Sequence, residues 1–136
     1  MFRVSVEDTF AAGHALRGYK GKCENVHGHN YKVRVILQGP TLNSIGLLYD
    51  FKDLKSAIQE VICKLDHHFI NDIPPFDVIN PSAENLAKYF HEEVCRLLVD
   101  AAKGNGSAVC SVQQVTVWET DTTTATYFAE TPEREI

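Results

Sequence analysis

Hydrophobic and polar residues alternate from the second residue of the chain. Phe2, Val4, Val6 and Phe10 share one parity and Arg3, Ser5, Glu7 and Thr9 the other, the pattern of a half-buried strand over 2–10. Ala11-Ala12-Gly13 then leads to His14, where this strand is expected to finish or bulge. Alternation resumes from Asn30 to Gln38, with Tyr31, Val33, Val35 and Leu37 on one face, and Gly39-Pro40 stops it. After a loop, Asp50 is placed to cap the next element. From Phe51 to Leu65 the period changes, and apolar residues at 51, 54, 58, 61, 62 and 65 trace one face of a helix. Cys63 beside that stripe reads as a small, inert hydrophobe. An irregular connector follows. A second helix is predicted to start at Asn80-Pro81-Ser82, with Asn80 or Ser82 as cap, and to carry Leu86, Phe90, Val94, Leu97 and Leu98 to about Ala102, with Cys95 structural beside them. Past a turn at 103–107, Val109–Glu119 and Thr123–Ala129 read as a hairpin, and the polar residues after Glu130 as a fraying end. The order is ββααββ, with no internal repeat.

At 136 residues the chain is most simply one domain, 1–136, with a core that needs no staples. A net charge of −5 argues against a nucleic-acid partner, which calls for a basic patch, and favours a small substrate. The four cysteines lack the dense spacing of a disulfide scaffold, and the first residues lack a secretory apolar core, so a reducing cytoplasm is expected. No apolar run approaches the roughly 20 residues that span a bilayer, so no membrane partner is expected.

The chemistry concentrates in Cys23-Glu24-Asn25-Val26-His27-Gly28-His29. On a strand, His27 and His29 point to one face, roughly 6.5–7 Å apart, and can clasp one ion, while Gly28 leaves the opposite face bare. A lone histidine at position 14 reads as structural; beside a His-Gly-His pair it becomes the third ligand, since three imidazoles with an open position form a catalytic zinc set. Cys23 then has two readings that spacing leaves open: a thiolate base beside the metal, or the fourth ligand of a closed structural site. Asp66 next to His67 can fix the imidazole tautomer and make a proton carrier, although a helix-end histidine meeting the macrodipole has the same signature. Glu119 shares its face with Val115 and Val117, an awkward place for a carboxylate without a donor-rich partner. Arg17, Lys20 and Lys22 form a cationic loop, either solvated or turned to substrate phosphates. Glu84 suits the first turn of its helix on dipole grounds alone.

The ordered set Phe10-Ala11-Ala12-Gly13-His14, Cys23-x3-His27-Gly28-His29, Asp50-Phe51, Leu65-Asp66-His67, Asn80-Pro81-Ser82-Ala83-Glu84-Asn85 and Trp118-Glu119-Thr120 resembles the 6-pyruvoyltetrahydropterin synthase and 6-carboxytetrahydropterin synthase family over nearly the whole chain. The resemblance implies an α+β tunnelling fold, a four-stranded antiparallel sheet with two helices on one face. It also implies edge-to-edge trimers stacked as a hexamer, with sites between subunits, so that Asp66 and His67 can serve a neighbour's metal. Carried over by position, it makes His14, His27 and His29 ligands of Zn2+, Cys23 the general base, and Asp66 with His67 the proton relay. It makes Glu119 the anchor of a pterin ring, with Ser82 and Glu84 as further substrate contacts. The implied substrate is 7,8-dihydroneopterin triphosphate. The three-residue gap between Cys23 and His27 resembles the bacterial carboxy branch on the queuosine route better than the animal pyruvoyl branch.

Two positions depart from the pattern. Ala83 stands where a hydroxyl residue is common. Glu24 stands where a related branch, which cuts the side chain to 6-hydroxymethyldihydropterin for folate, carries glutamate in place of the cysteine; with both residues present, dual activity is one expectation and a solvated loop acid the other. The rival from another class is a noncatalytic zinc-stabilised pterin-binding module in which Cys23 closes the site.

Overall fold

A computed structural model describes residues 1–19, 21, 24–102 and 110–130. Strands β1 (Phe2–His14), β2 (His27–Gly39), β3 (Ser111–Thr120) and β4 (Thr123–Tyr127) form one antiparallel sheet in that order, and helices α1 (Phe51–Leu65) and α2 (Ala83–Ala102) lie between β2 and β3 in sequence. Helix α1 packs over β1, and α2 over β3 and β4. The expected ββααββ architecture is the one observed, together with a single 3-10 turn at Ile70–Asp72 in the connector.

The sheet is one-sided because its sequence is. Tyr31, Val33, Val35 and Leu37 of β2 and Val115 and Val117 of β3 are fully buried against the helices, each aliphatic side chain among them worth about 1.5–3 kcal/mol of apolar transfer on the usual scale. The other face carries Glu7, Lys32 and Arg34, with the Lys32 ammonium 4.2 Å from the centre of the Trp118 ring. Helix α1 buries Leu54, Ala57, Ile58, Val61, Ile62 and Leu65, and Asp50 caps it through an Oδ1 that accepts the Lys52 N–H at 2.8 Å. Helix α2 starts one residue after Ser82, whose hydroxyl accepts the Asn85 N–H at 3.1 Å, so Ser82 is the cap and Pro81 precedes the first turn.

Three expectations change. Strand β2 starts at His27 instead of Asn30, because it pairs residue for residue with β1 from Phe2↔Gly39 to His14↔His27, and β1 finishes at His14 as expected. Phe51 is 57% exposed, since the first residue of α1 lies beyond the sheet it was expected to cover. Cys63 is exposed on the solvent side of the same helix, whereas Cys95 is buried as expected. The loop at 103–109 and the residues after Glu130 lie outside the described residues.

Candidate active site

The site forms where the β1–β2 ladder ends. Cross-strand pairing sets His14 opposite His27 and Ala12 opposite His29, which puts three imidazoles on the helix-facing side of the sheet. Their ring centroids lie 4.5–5.0 Å apart, all edge to face, with Tyr31 packed edge-on against His14 and His29. Glu119 joins them. It follows the last β2–β3 pair, Lys32↔Trp118, and the β3–β4 register shifts between Trp118 and Thr120. Such an irregularity re-aims side chains next to sites. One ligand atom from each of His14, His27, His29 and Glu119 lies within 4.8 Å of the others.

Each histidine is prepared as a ligand. His14 Nδ1 donates to the Pro81 carbonyl at 2.7 Å and His27 Nδ1 donates to the Asn25 carbonyl at 2.7 Å; since carbonyls only accept, both rings carry their proton on Nδ1. Both Nε2 atoms are then bare in the neutral rings, yet they face each other at 2.9 Å. Two opposed lone pairs at that distance repel, and a shared cation removes the conflict. Burial of His14 and of His29 holds both below the usual imidazole range, toward the neutral form that ligates metal. Glu119 Oε1 lies 3.1 Å from His29 Nε2 but without the alignment of a hydrogen bond, so that buried nitrogen has no hydrogen-bond partner. An orphaned buried nitrogen within a set of nitrogen and carboxylate donors, two of them tied to backbone carbonyls through the other ring nitrogen, fits a metal ion.

Asp66 and His67 stand at the free edge of β1. Asp66 Oδ2 is 3.0 Å from His67 Nδ1, so the adjacency in sequence is a contact in space. Asp66 Oδ1 accepts the Ala11 N–H at 2.9 Å; this bond first, and the His67 contact second, hold the carboxyl below the usual carboxylate range. His67 is 81% exposed, beyond the α1 cap, with φ +59° and its own N–H donated to the Ala11 carbonyl. His67, His68 and Phe69 line an open cleft of about 560 Å³ together with Ala11, Gly13, Gly28 and His29, so His67 and one cluster histidine border the same space within one chain.

Other expected residues are dispersed around this centre. Ser82 caps α2 and keeps its O–H free to donate, while Glu84 is exposed in the first turn of that helix. Glu24 is exposed on a short turn, its N–H donated to the Gly21 carbonyl at 3.2 Å. Cys23, Lys20 and Lys22 lie outside the described residues. Arg17 is exposed, and its guanidinium donates to the carbonyls of Phe76 at 2.8 Å, Ile79 at 3.2 Å and Asn71 at 3.4 Å. The sequence reading missed Pro81, Asn25, Asn71 and Asn80. The first two act through backbone carbonyls, which no side-chain pattern reports.

A family model described as 6-pyruvoyl tetrahydropterin synthase matches residues 3–130. The chain belongs to this synthase family. It is 31% identical over 146 residues to the 6-carboxy-5,6,7,8-tetrahydropterin synthase of Haemophilus influenzae, an alignment covering 93% of this chain and 99% of that one. It is 40% identical over 82 residues to the 6-pyruvoyl tetrahydrobiopterin synthase of Poecilia reticulata, covering 57% and 56% of the two chains. The solved structure of Caenorhabditis elegans 6-pyruvoyl tetrahydropterin synthase superposes with a TM-score of 0.77 at 30% identity, covering 96% of this chain and 98% of that one. The named relatives are pterin synthases, and the cluster at the end of the β1–β2 ladder is this synthase-family chain's candidate metal centre. Among the described residues no helix is long and apolar enough to cross a membrane.

Proposed function

We propose that the chain is a zinc-dependent lyase that converts 7,8-dihydroneopterin triphosphate to 6-carboxy-5,6,7,8-tetrahydropterin, releasing acetaldehyde and triphosphate, on the route to queuosine and related 7-deazaguanines in the cytoplasm. The observation that carries this reading is the three-imidazole cluster with its orphaned Nε2 beside an Asp-His pair. Similarity across nearly the full length of a bacterial carboxy-branch enzyme supports the choice of product.

Zinc held by His14, His27 and His29 supplies Lewis acidity toward the hydroxyl and carbonyl oxygens of the substrate side chain. Cys23, four residues before His27, is the general base. Asp66 keeps His67 oriented, so that the exposed ring can carry protons between substrate and water. Glu119 was expected to anchor the pterin ring, but its contact with His29 draws it to the reacting side chain. A substrate whose hydroxyls lie at the metal presents the 2-amino and N3 hydrogens of its ring on the far side. Glu84, exposed two residues after Ser82, is the carboxylate better free to accept that donor pair in bidentate fashion. Ser82 donates beside it. Among the described residues no strand covers the outer edge of β1 between Arg3 and Glu7, which supports edge-to-edge assembly into a hexamer.

A second reading concerns product choice. Glu24 is exposed within four residues of His27 and has no hydrogen bond through its carboxylate among the described residues, so a second base is available to cut the side chain to 6-hydroxymethyl-7,8-dihydropterin. Glu24→Ala is expected to lower the hydroxymethyl fraction of the products while the carboxy product persists, as measured by mass analysis after incubation with dihydroneopterin triphosphate. Unchanged product ratios would make Glu24 a solvated loop acid. A pyruvoyl product alone from the parent protein would overturn the branch assignment.

A further inference from the structure

Strand β1 pairs with β2 along one edge, and its odd residues turn their backbone groups to the other. That outer edge is covered from Ala11 to Arg17, although among the described residues only an isolated bridge, Gly13↔Phe69, pairs with it there. Ala11 donates its N–H to Asp66 Oδ1 at 2.9 Å and accepts the His67 N–H at 2.6 Å. Gly13 donates to the His68 carbonyl at 3.1 Å. Ala15 donates to Asn71 Oδ1 and accepts from Asn71 Nδ2, both at 2.9 Å. Arg17 donates to Asn80 Oδ1 at 2.8 Å and accepts from Asn80 Nδ2 at 2.9 Å. The connector therefore acts as a surrogate strand, in which two side-chain amides present the donor and acceptor of a neighbouring backbone.

We propose that Asn71 and Asn80 are positioning residues of the metal centre, an inference that rests on the metal-site reading above. The β1–β2 ladder ends at His14↔His27, and the backbone after His14 is carried on by these two amides. Asn80 is also joined to Pro81, whose carbonyl takes the His14 Nδ1 proton. One two-residue turn thus fixes both the chain beyond His14 and the tautomer of its ring. The turn is itself tied down: Asn85 Nδ2 donates to the Asn80 carbonyl at 2.9 Å, and the Arg17 guanidinium binds the carbonyls of Phe76 and Ile79. Partners of ligating histidines orient the ring, and their loss typically costs about 10- to 100-fold in metal affinity.

The test is titration of the metal-free full chain with Co2+, whose visible absorption reports ligand geometry, in the parent, Asn80→Asp and Asn71→Asp. Aspartate keeps the Oδ1 acceptor but sets an oxygen against the Arg17 or Ala15 carbonyl where the amide N–H2 was. Expected are a Co2+ affinity weaker by about 10- to 100-fold and an altered absorption band, with far-ultraviolet circular dichroism like the parent's. If aspartate prevents folding, the milder Asn80→Ser and Asn71→Ser serve the same comparison. Affinity and band equal to the parent's in variants of lowered thermal stability would overturn the proposal and leave the amides purely structural. Failure of the parent itself to bind Co2+ would remove the metal-site reading and this inference with it, a result distinct from a binding parent with unaffected variants.

Discussion

Replacing Cys23 by alanine is expected to abolish turnover while the metal stays bound. His14, His27 and His29 bring three imidazole ligand atoms together, with a Glu119 oxygen within 4.8 Å of them, so a metal can be held without a thiol. A sulfur is therefore not needed to close the site, and a thiolate near a cation is available as a base. Loss of a positioned base typically costs on the order of 10²- to 10⁴-fold in rate. Initial rates with dihydroneopterin triphosphate give the first number, and metal content per chain by atomic absorption gives the second. Loss of metal and of assembly together would make Cys23 a ligand and favour the noncatalytic module.

His29→Ala is expected to remove both metal and turnover. Its Nε2 is buried without a hydrogen-bond partner, 3.1 Å from Glu119 Oε1 and within the imidazole cluster, the placement of a metal ligand. Lewis-acid stabilisation is worth several kcal/mol of barrier, and each 1.36 kcal/mol is tenfold, so the rate should fall by about 10³-fold or more. Stability separates this outcome from simple misfolding. A ligand at a hundred times its Kd stabilises a protein by about 2.7 kcal/mol, so zinc should raise the Tm of the parent by several degrees and leave that of His29→Ala unchanged. A variant that retained the zinc-dependent shift would exclude His29 from the centre.

The hydrophobic pattern carried most of the fold. Alternation in β2 and β3 and the 3.6-residue stripe of α1 survive in the burial of Tyr31, Val33, Val35 and Leu37 and of Leu54, Ile58, Val61 and Leu65. Pattern failed where partners are distant in sequence. Strand β2 was read only from Asn30 because Val26-His27-Gly28-His29 has no apolar alternation; its first residues are fixed by pairing with Ala12–His14 of β1, whose other edge is held by the 66–80 connector. The exposure of Phe51 reflects where α1 begins relative to the sheet, which a helical wheel does not encode, whereas Cys63 lies on the helix's solvent side.

The metal centre was legible for the same reason that β2 was. Two histidines spaced by one residue on a strand share a face whatever the fold. His14 needed the register, which sets it opposite His27. Glu119 was legible as misplaced on a valine face, but its partner was not, because the irregularity between Trp118 and Thr120 redirects it toward His29. The roles of Asn80 and Pro81 were hidden behind a simpler explanation: the same residues read as an ordinary helix start, which Ser82 in fact supplies.

The most direct test is to incubate zinc-loaded and chelator-stripped protein with 7,8-dihydroneopterin triphosphate and to identify every product by mass. The predicted result is 6-carboxy-5,6,7,8-tetrahydropterin with equimolar acetaldehyde and triphosphate from the loaded protein, and no conversion from the stripped one until zinc is restored. Equal conversion with and without metal, or an unconsumed substrate that merely binds the loaded protein, would contradict a zinc-dependent pterin lyase.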